Sequence, residues 1–322
     1  MTFYLLAFLA SFVLALAILP GLIRLLTRRH VEQVISEDVP EHMGKKGTPT
    51  LGGIGIVIPA TLVTLIYAAS THGAGDAVAL VALLLVTSLL GFADDLLILR
   101  GGRNAGQKWS HKLGAQVVVA GAFVIYLWVT QGANITIVHV PGLGREVQLG
   151  WIWAPLAVIY LAGMSNAVNL SDGLDGLAGG LSIIAALSCA AAASAAGAPE
   201  VTVFLLALAG ACLGFLWFNS HPAQIFMGNT SSIALGMVLA GAALITRYEI
   251  VLVLSFGVFA AEAISVLLQV GYFKLTRKRI FKKAPIHHHF EMLGWKETRI
   301  VARFWITAIV LALLAQLWMR SG

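Results

Sequence analysis

Four aspartates stand at the ends of otherwise apolar stretches. Asp94 and Asp95 close the run Gly91-Phe-Ala-Asp-Asp-Leu96, and Asp172 and Asp175 follow Asn166 and Asn169 in Asn166-Ala-Val-Asn-Leu-Ser-Asp-Gly-Leu-Asp-Gly-Leu177. Adjacent carboxylates repel, so a pair on an apolar background is costly unless a cation sits with it. Hard divalent ions take oxygen ligands, and Mg²⁺ is usually held by one or two carboxylates plus substrate phosphates. The plainer alternative is that these aspartates cap helices or hydrate loops. Asn166, Asn169 and Asp172 recur at three-residue intervals, which places them on one helical face. Gly173 and Gly176 permit a tight turn or close approach of a ligand to the backbone.

Three other segments carry polar groups suited to phosphate. The loop Asn219-Ser-His-Pro-Ala-Gln-Ile-Phe-Met-Gly-Asn-Thr-Ser-Ser232 leads into an apolar helix, and its Ser and Thr residues are suited to capping a helix start, where anions bind. His287, His288 and His289 follow six cations between Lys274 and Lys283, a setting better matched to an anion than to zinc, whose ligands are usually spaced. Lys45, Lys46, Thr48 and three glycines between 47 and 53 form a weaker phosphate-binding pattern. Glu262 and Gln269 lie within an apolar segment. Glu262 reads as a buried residue with a structural partner, and Gln269 is placed among the substrate-facing groups.

The elements that must position these residues are membrane helices. The chain has 322 residues, of which 59% are apolar and 11% charged, with a net charge of +6. Soluble domains carry about 25% charged residues, so a cytosolic enzyme, a disordered chain and a nucleic-acid binder of the basic-patch kind are excluded. A crossing helix needs about 20 apolar residues. Ten candidates run over 3–25, 50–69, 77–93, 113–130, 150–168, 177–196, 201–218, 232–246, 250–273 and 302–319. Three loop groups on one side hold five, four and nine cations, 18 of the 21, which marks that side as cytoplasmic. Both termini then lie outside, and the carboxylates, amides and histidines lie at the inner surface. Residues 134–148 alternate β-formers around Pro141-Gly-Leu-Gly144 and read as a small outer hairpin. Cys189 and Cys212 sit in apolar runs as small core residues. The expected architecture is an all-α polytopic membrane protein forming a single domain over 1–322.

Gly47-Thr-Pro-Thr-Leu-Gly-Gly53, Asp94-Asp95, Asn166 to Leu177, Phe226 to Gly236 and Pro285-Ile-His-His-His-Phe-Glu291 together resemble the polyprenyl-phosphate N-acetylhexosamine-1-phosphate transferase superfamily. They recur in that family's order across nearly the whole chain. The Pro-Ile-His-His-His-Phe-Glu segment is the most discriminating, and it resembles the branch that uses UDP-N-acetylmuramoyl-pentapeptide. The resemblance implies transfer of phospho-MurNAc-pentapeptide to undecaprenyl phosphate with Mg²⁺, giving lipid I and UMP in the bacterial inner membrane. It also implies a homodimer and inhibition by nucleoside antibiotics. It assigns catalysis to Asp94, Asp95, Asp172 and His287, and the nucleotide cleft to Asn166, Asn169 and Asp175. Asn219 and Phe226 fall in the uridine pocket, His288 and His289 at the diphosphate, and Lys45 or Lys46 on a phosphate. Asp94, Asp172 and position 229 would hold the metal. One position departs from the family pattern, Asp-x-Gly-Ser after Phe-Met-Gly. This chain has Asn229-Thr-Ser-Ser232, and an amide lacks the charge that holds a hard cation. The rival readings are a relative using UDP-GlcNAc and, from another class, a secondary transporter. A transporter would place its site near the bilayer midplane, whereas these carboxylates sit at span ends.

Overall fold

A computed structural model describes residues 2–32, 47–71, 73–101, 107–140 and 145–320. Lys45 and Lys46 lie outside the described residues. The chain is an all-α membrane protein with, among the described residues, one small hairpin. Helices α1 (Thr2–Arg28), α2 (Ile54–Ser70), α3 (Gly75–Gly101) and α4 (Trp109–Gln131) precede strands β1 (Ile137–Val140) and β2 (Arg145–Gln148). The strands pair antiparallel, Ile137 opposite Gln148, as the alternation over 134–148 predicts. Then follow α5 (Trp153–Ser171), α6 (Leu177–Ala195), α7 (Pro199–Asn219), α8 (Asn229–Thr246), α9 (Glu249–Ser255), α10 (Gly257–Thr276), α11 (Ile286–Glu291) and α12 (Glu297–Arg320). Among the described residues nine helices are long and apolar enough to cross a membrane, and α2, with 17 residues, is apolar but shorter.

Helix α8 is the axis of the fold. Every residue from Thr230 to Thr246 is buried. A helix apolar on all sides must be surrounded by others, and the small residues of Ser231-Ser-Ile-Ala-Leu-Gly236 let them come close. A Cβ on Gly236 would lie 2.2 Å from the Met164 carbonyl oxygen in α5. A Cβ on Gly91 in α3 would lie 2.1 Å from the Asn229 carbonyl oxygen. Helix α7 meets α1 through Gly210 and Gly214, four residues apart, which bring Phe8 and Ala15 against its backbone. Lipid offers no hydrophobic drive between helices, so close backbone approach is what holds them. Gly236→Ala is therefore expected to cost about 1–3 kcal/mol, because the obstacle is backbone that cannot rotate away. The thermal midpoint in detergent should fall accordingly; an unchanged midpoint would mean that α5 and α8 do not pack this closely.

The span expected over 250–273 is two helices. Chain direction changes at Phe256 (φ −91°, ψ 7°), and Gly257 gives way to Leu311 of α12, 2.7 Å from an added Cβ. The break is tied to its neighbours by hydroxyls: Ser255 Oγ lies 2.7 Å from Ser188 Oγ in α6, and Gln316 Nε2 of α12 donates to Ser188 Oγ at 2.8 Å. Beyond the break, α10 exposes Leu267, Leu268, Val270, Phe273 and Leu275, a surface suited to lipid, before the basic segment.

Candidate active site

The last two turns of α5 and the turn that follows form the spine of the site. The helix ends at Ser171, and Asp172 takes a non-helical conformation (φ −82°, ψ 50°). Gly176 adopts φ +79°, open to glycine at no steric cost, and α6 departs from there.

Asn166 donates through Nδ2 to Gln116 Oε1 of α4 at 2.7 Å. Gln116 in turn reaches Ser165, whose hydroxyl donates to the Ile233 carbonyl at 2.8 Å. One turn on, Asn169 Nδ2 donates to Asn229 Oδ1 at 2.7 Å and to Ser232 Oγ at 2.8 Å. The Lys112 ammonium enters the same knot. It lies 3.1 Å from Asn229 Oδ1, 3.4 Å from Asn169 Oδ1 and 3.2 Å from Asp94 Oδ2. Asn229 completes the ring by donating its amide to Asp94 Oδ2 at 3.1 Å, and the Gln107 N–H donates to Asp94 Oδ1 at 2.8 Å.

The two adjacent aspartates have different partners. Asp95 is turned into the start of α8. Its Oδ1 accepts from the Asn229 N–H at 3.0 Å, and its Oδ2 from the Thr230 N–H at 2.9 Å and the Thr230 hydroxyl at 2.7 Å. It caps a helix from another helix, and its charge faces the positive end of the α8 dipole. Gly228, the residue before α8, has φ +74°, and a Cβ there would strike Asp95 Oδ2 at 2.8 Å. Asp94 faces lysine and amide. Mutual repulsion is thus relieved by a helix terminus on one side and a cation on the other.

Both ends of the Asn229 side-chain amide are engaged. Its carbonyl oxygen already accepts from Lys112 and Asn169, and its amide nitrogen is directed at Asp94. Ser231, where the family pattern has glycine, is accommodated because it faces Gly53, whose added Cβ would lie 2.4 Å from Ser231 Oγ.

A second group forms at the far end of the spine. Asp175 is buried, and its Oδ2 accepts from the Ala223 N–H at 3.1 Å and lies 3.0 Å from His221 Nδ1. Glu297, at the start of α12, accepts from the Asp175 N–H at 2.6 Å and places Oε2 3.4 Å from His221 Nδ1. The ligand atoms of Asp175, His221 and Glu297 all lie within 4.8 Å of one another, so this group could hold a metal ion. Asp172, half-buried, lies between the two groups in sequence.

Asn219 accepts from the Gly176 N–H at 3.0 Å and donates to the Ile225 carbonyl at 2.9 Å, so it braces the turn and the 219–228 loop together. Phe226 is half-buried, and its backbone is pinned to the early loop: its N–H donates to Pro49 O at 2.8 Å, and its carbonyl accepts from Gly52 N–H at 2.8 Å. Thr48, half-buried, begins that loop.

The rings of His287 and His288 lie 4.1 Å apart, but the three histidines take different hydrogen-bond partners. His287 is fully buried, with Nδ1 3.0 Å from Glu262 Oε2 in α10. Glu262 thus has the structural partner expected for it. His288 Nδ1 pairs with Glu291, and burial lowers the imidazole from its ordinary range despite that carboxylate. His289 accepts the Lys282 N–H at 3.1 Å. Gln269 clasps the preceding loop, accepting from the Ile280 and Phe281 N–H groups at 3.0 and 2.9 Å and donating to the Phe281 carbonyl at 3.0 Å. Its amide is engaged in shaping that loop.

Thr230 falls among the hydroxyl residues expected at the start of α8, but the sequence alone marks Lys112 only as a charge and singles out none of Gln116, His221 and Glu297. Lys112 carried a usable signal, since it lies one turn inside an apolar helix, where an ammonium needs partners. The others had none, because their meaning depends on which helices are neighbours.

The helical membrane fold and this carboxylate–amide–lysine site define a transferase class: residues 77–247, from α3 to the end of α8, match glycosyl transferase family 4. Curated relatives narrow it. The chain is 40% identical over 312 residues to the phospho-N-acetylmuramoyl-pentapeptide-transferase of Acetivibrio thermocellus, covering 95% of this chain and 92% of that protein. It is 41% identical over 317 residues to that of Geobacillus kaustophilus, covering 96% of each. For Heliobacterium modesticaldum the identity is 42% over 313 residues, covering 97% of this chain and 96% of the relative. The chain belongs to the phospho-N-acetylmuramoyl-pentapeptide-transferase family, as a multi-pass bacterial membrane protein.

Proposed function

We propose that the chain transfers phospho-MurNAc-pentapeptide from UDP-MurNAc-pentapeptide to undecaprenyl phosphate, releasing UMP, at the cytoplasmic face of the inner membrane. The observation that carries this reading is the convergence of Asp94, Lys112, Asn169 and Asn229 on the basic side of the protein, beside the turn bearing Asp172 and Asp175. A prenyl phosphate must reach the site from the bilayer and a UDP-sugar from the cytosol, and this interface is where the two can meet.

The lipid phosphate has a second pKa of about 6, so it is largely dianionic at neutral pH and needs little general base. The harder task is to bring a dianion to an anionic diphosphate, and phosphoryl transfer is chiefly positioning and charge neutralisation. Lys112 supplies a fixed positive charge, and the amides of Asn169 and Asn229 orient it. Asp94 takes the residual proton as the lipid oxygen attacks the sugar-bearing phosphorus and UMP leaves. Asp95 supports the site by holding α8. Phe226 stacks on uracil, and Asp175 and Asn219 shape that pocket. Thr48 and the 286–291 helix border the diphosphate, and the family resemblance assigns a phosphate contact to Lys45 or Lys46. Asp94 and Asp172 would hold Mg²⁺, which would supply charge neutralisation for the phosphates. A homodimer and inhibition by nucleoside antibiotics belong to the same proposal.

The test is direct. Purified protein with undecaprenyl phosphate, UDP-MurNAc-pentapeptide and Mg²⁺ should release UMP and form the lipid-linked MurNAc-pentapeptide. Turnover of UDP-GlcNAc in its place would move the chain to the other branch, and no UMP from either would sink the reading. UMP exchange into the UDP-sugar without lipid would replace direct attack by a covalent aspartyl intermediate.

Asn229→Asp tests the departure from the family pattern. The new carboxylate would face Asp94 where an amide now donates at 3.1 Å. Two carboxylates at that distance call for a cation, so the Mg²⁺ concentration giving half-maximal activity should fall. An unchanged Mg²⁺ titration would refute this.

A further inference from the structure

Glu262 and His287 are both fully buried, one in the second turn of α10 and the other in the short α11. Ionisable groups enclosed within a membrane protein are costly and need a compensating role. Glu262 Oε2 lies 3.0 Å from His287 Nδ1 and 3.5 Å from the His287 backbone nitrogen, so one oxygen holds both the ring and its backbone. The opposite atoms, Glu262 Oε1 and His287 Nε2, are buried without a hydrogen-bond partner. His287 Nε2 is directed at the spine of the site: a Cβ on Gly173 would lie 2.4 Å from it and 2.9 Å from His287 Cε1. Gly173 lies between Asp172 and Asp175, and only a residue without a side chain leaves room for the ring there.

We infer that Glu262 is a positioning residue: it seats His287 beneath Gly173, and the seated imidazole sets the 172–176 turn that presents Asp172 and Asp175. The role is mechanical. Glu262 orients the ring, the ring fills the space under the turn, and the turn sets the carboxylates. His287 acts from below the cleft. This rests on the transferase reading only for its kinetic consequence; the effect on the turn stands apart from activity.

Four variants test it in the full-length protein in detergent: Glu262→Ala, Glu262→Gln, Gly173→Ala and the double variant Gly173→Ala/Glu262→Ala. The first readout is hydrogen–deuterium exchange of the peptide covering 166–177. Glu262→Ala and Gly173→Ala should speed exchange there by about tenfold, while Glu262→Gln, which keeps an acceptor oxygen of the same reach, should stay close to wild type. The second readout is kcat and KM per folded molecule. Glu262→Ala and Gly173→Ala should each lower kcat/KM about tenfold, and Glu262→Gln should recover at least about a third of wild-type efficiency. If the three residues act as one unit, the double variant should lose little more than the worse single one, where independent effects would multiply to about a hundredfold. Wild-type exchange in both Glu262→Ala and Gly173→Ala would overturn the inference. So would Glu262→Gln behaving like Glu262→Ala, or full additivity in the double variant. If Glu262→Ala does not fold, Glu262→Gln and Gly173→Ala still decide through exchange. Altered exchange in a wild-type protein that releases no UMP would keep this inference and reject the transferase reading instead.

Discussion

Asp95→Ala is expected to prevent accumulation of folded protein. The carboxylate accepts three hydrogen bonds at the start of α8, two of them from backbone N–H groups. Those donors sit at a helix N-terminus, where no intrahelical acceptor exists. Leaving a buried donor unpaired costs roughly 1–3 kcal/mol, and hydrogen bonds to charged groups lie at the upper end. Two orphaned N–H groups and a lost hydroxyl partner therefore cost on the order of 4 kcal/mol, against a total stability of about 5–15 kcal/mol for a typical domain. The damage falls on the helix around which α3 and α5 pack. The measurement is the monodisperse yield and thermal midpoint in detergent. Asp95→Asn keeps one acceptor oxygen and should be intermediate. An Asp95→Ala protein that melts like wild type yet is inactive would assign Asp95 to chemistry alone.

Lys112→Met is expected to do the opposite: fold normally and lose turnover. Methionine keeps most of the stem's volume, and Asp94 retains the Gln107 N–H and the Asn229 amide as donors. What disappears is a cation bonded to both asparagines and Asp94. Removing one such preorganised group typically costs about 10²–10³ in kcat, or roughly 3–4 kcal/mol of transition-state stabilisation. Lys112→Arg should keep part of the rate, since it restores charge without the compact geometry of an ammonium. Asp94→Asn should give a loss of similar size. The readout is UMP release per folded molecule at saturating substrates. Near-normal turnover of Lys112→Met would exclude the ammonium from charge neutralisation.

The two variants probe neighbours of the same cluster with opposite expected outcomes, which bears on what could be read beforehand. The aspartate pair was legible because two adjacent carboxylates on an apolar background are conspicuous. Their division of labour was not, because it depends on the start of α8, 135 residues away from Asp95. Gln269 was legible as a polar residue in an apolar segment, but not as the clasp of residues 280–281. His287 was legible as one of three histidines, but only the packing shows it enclosed between Glu262 and Gly173 while His288 and His289 take other partners. The ninth span was legible as apolar, and its break at Phe256 was not, because the close approach of Leu311 to Gly257 is a tertiary contact.

The sequence by itself determined the membrane class, most of the apolar spans, the hairpin over 134–148 and the carboxylates that cannot stand unpartnered. In a chain with 11% charged residues every carboxylate in or beside an apolar span needs a physical reason, so composition alone singles it out. Tertiary structure decided the partners. Lys112 joins Asn169 and Asn229 across 57 and 117 positions, and no periodicity encodes such a pairing. It arises because glycines at 91 and 236 let α3 and α5 close on α8, so that side chains remote in sequence meet at one end of the bundle. Local chemistry selects which residues cannot stand alone; helix packing selects which of them stand together.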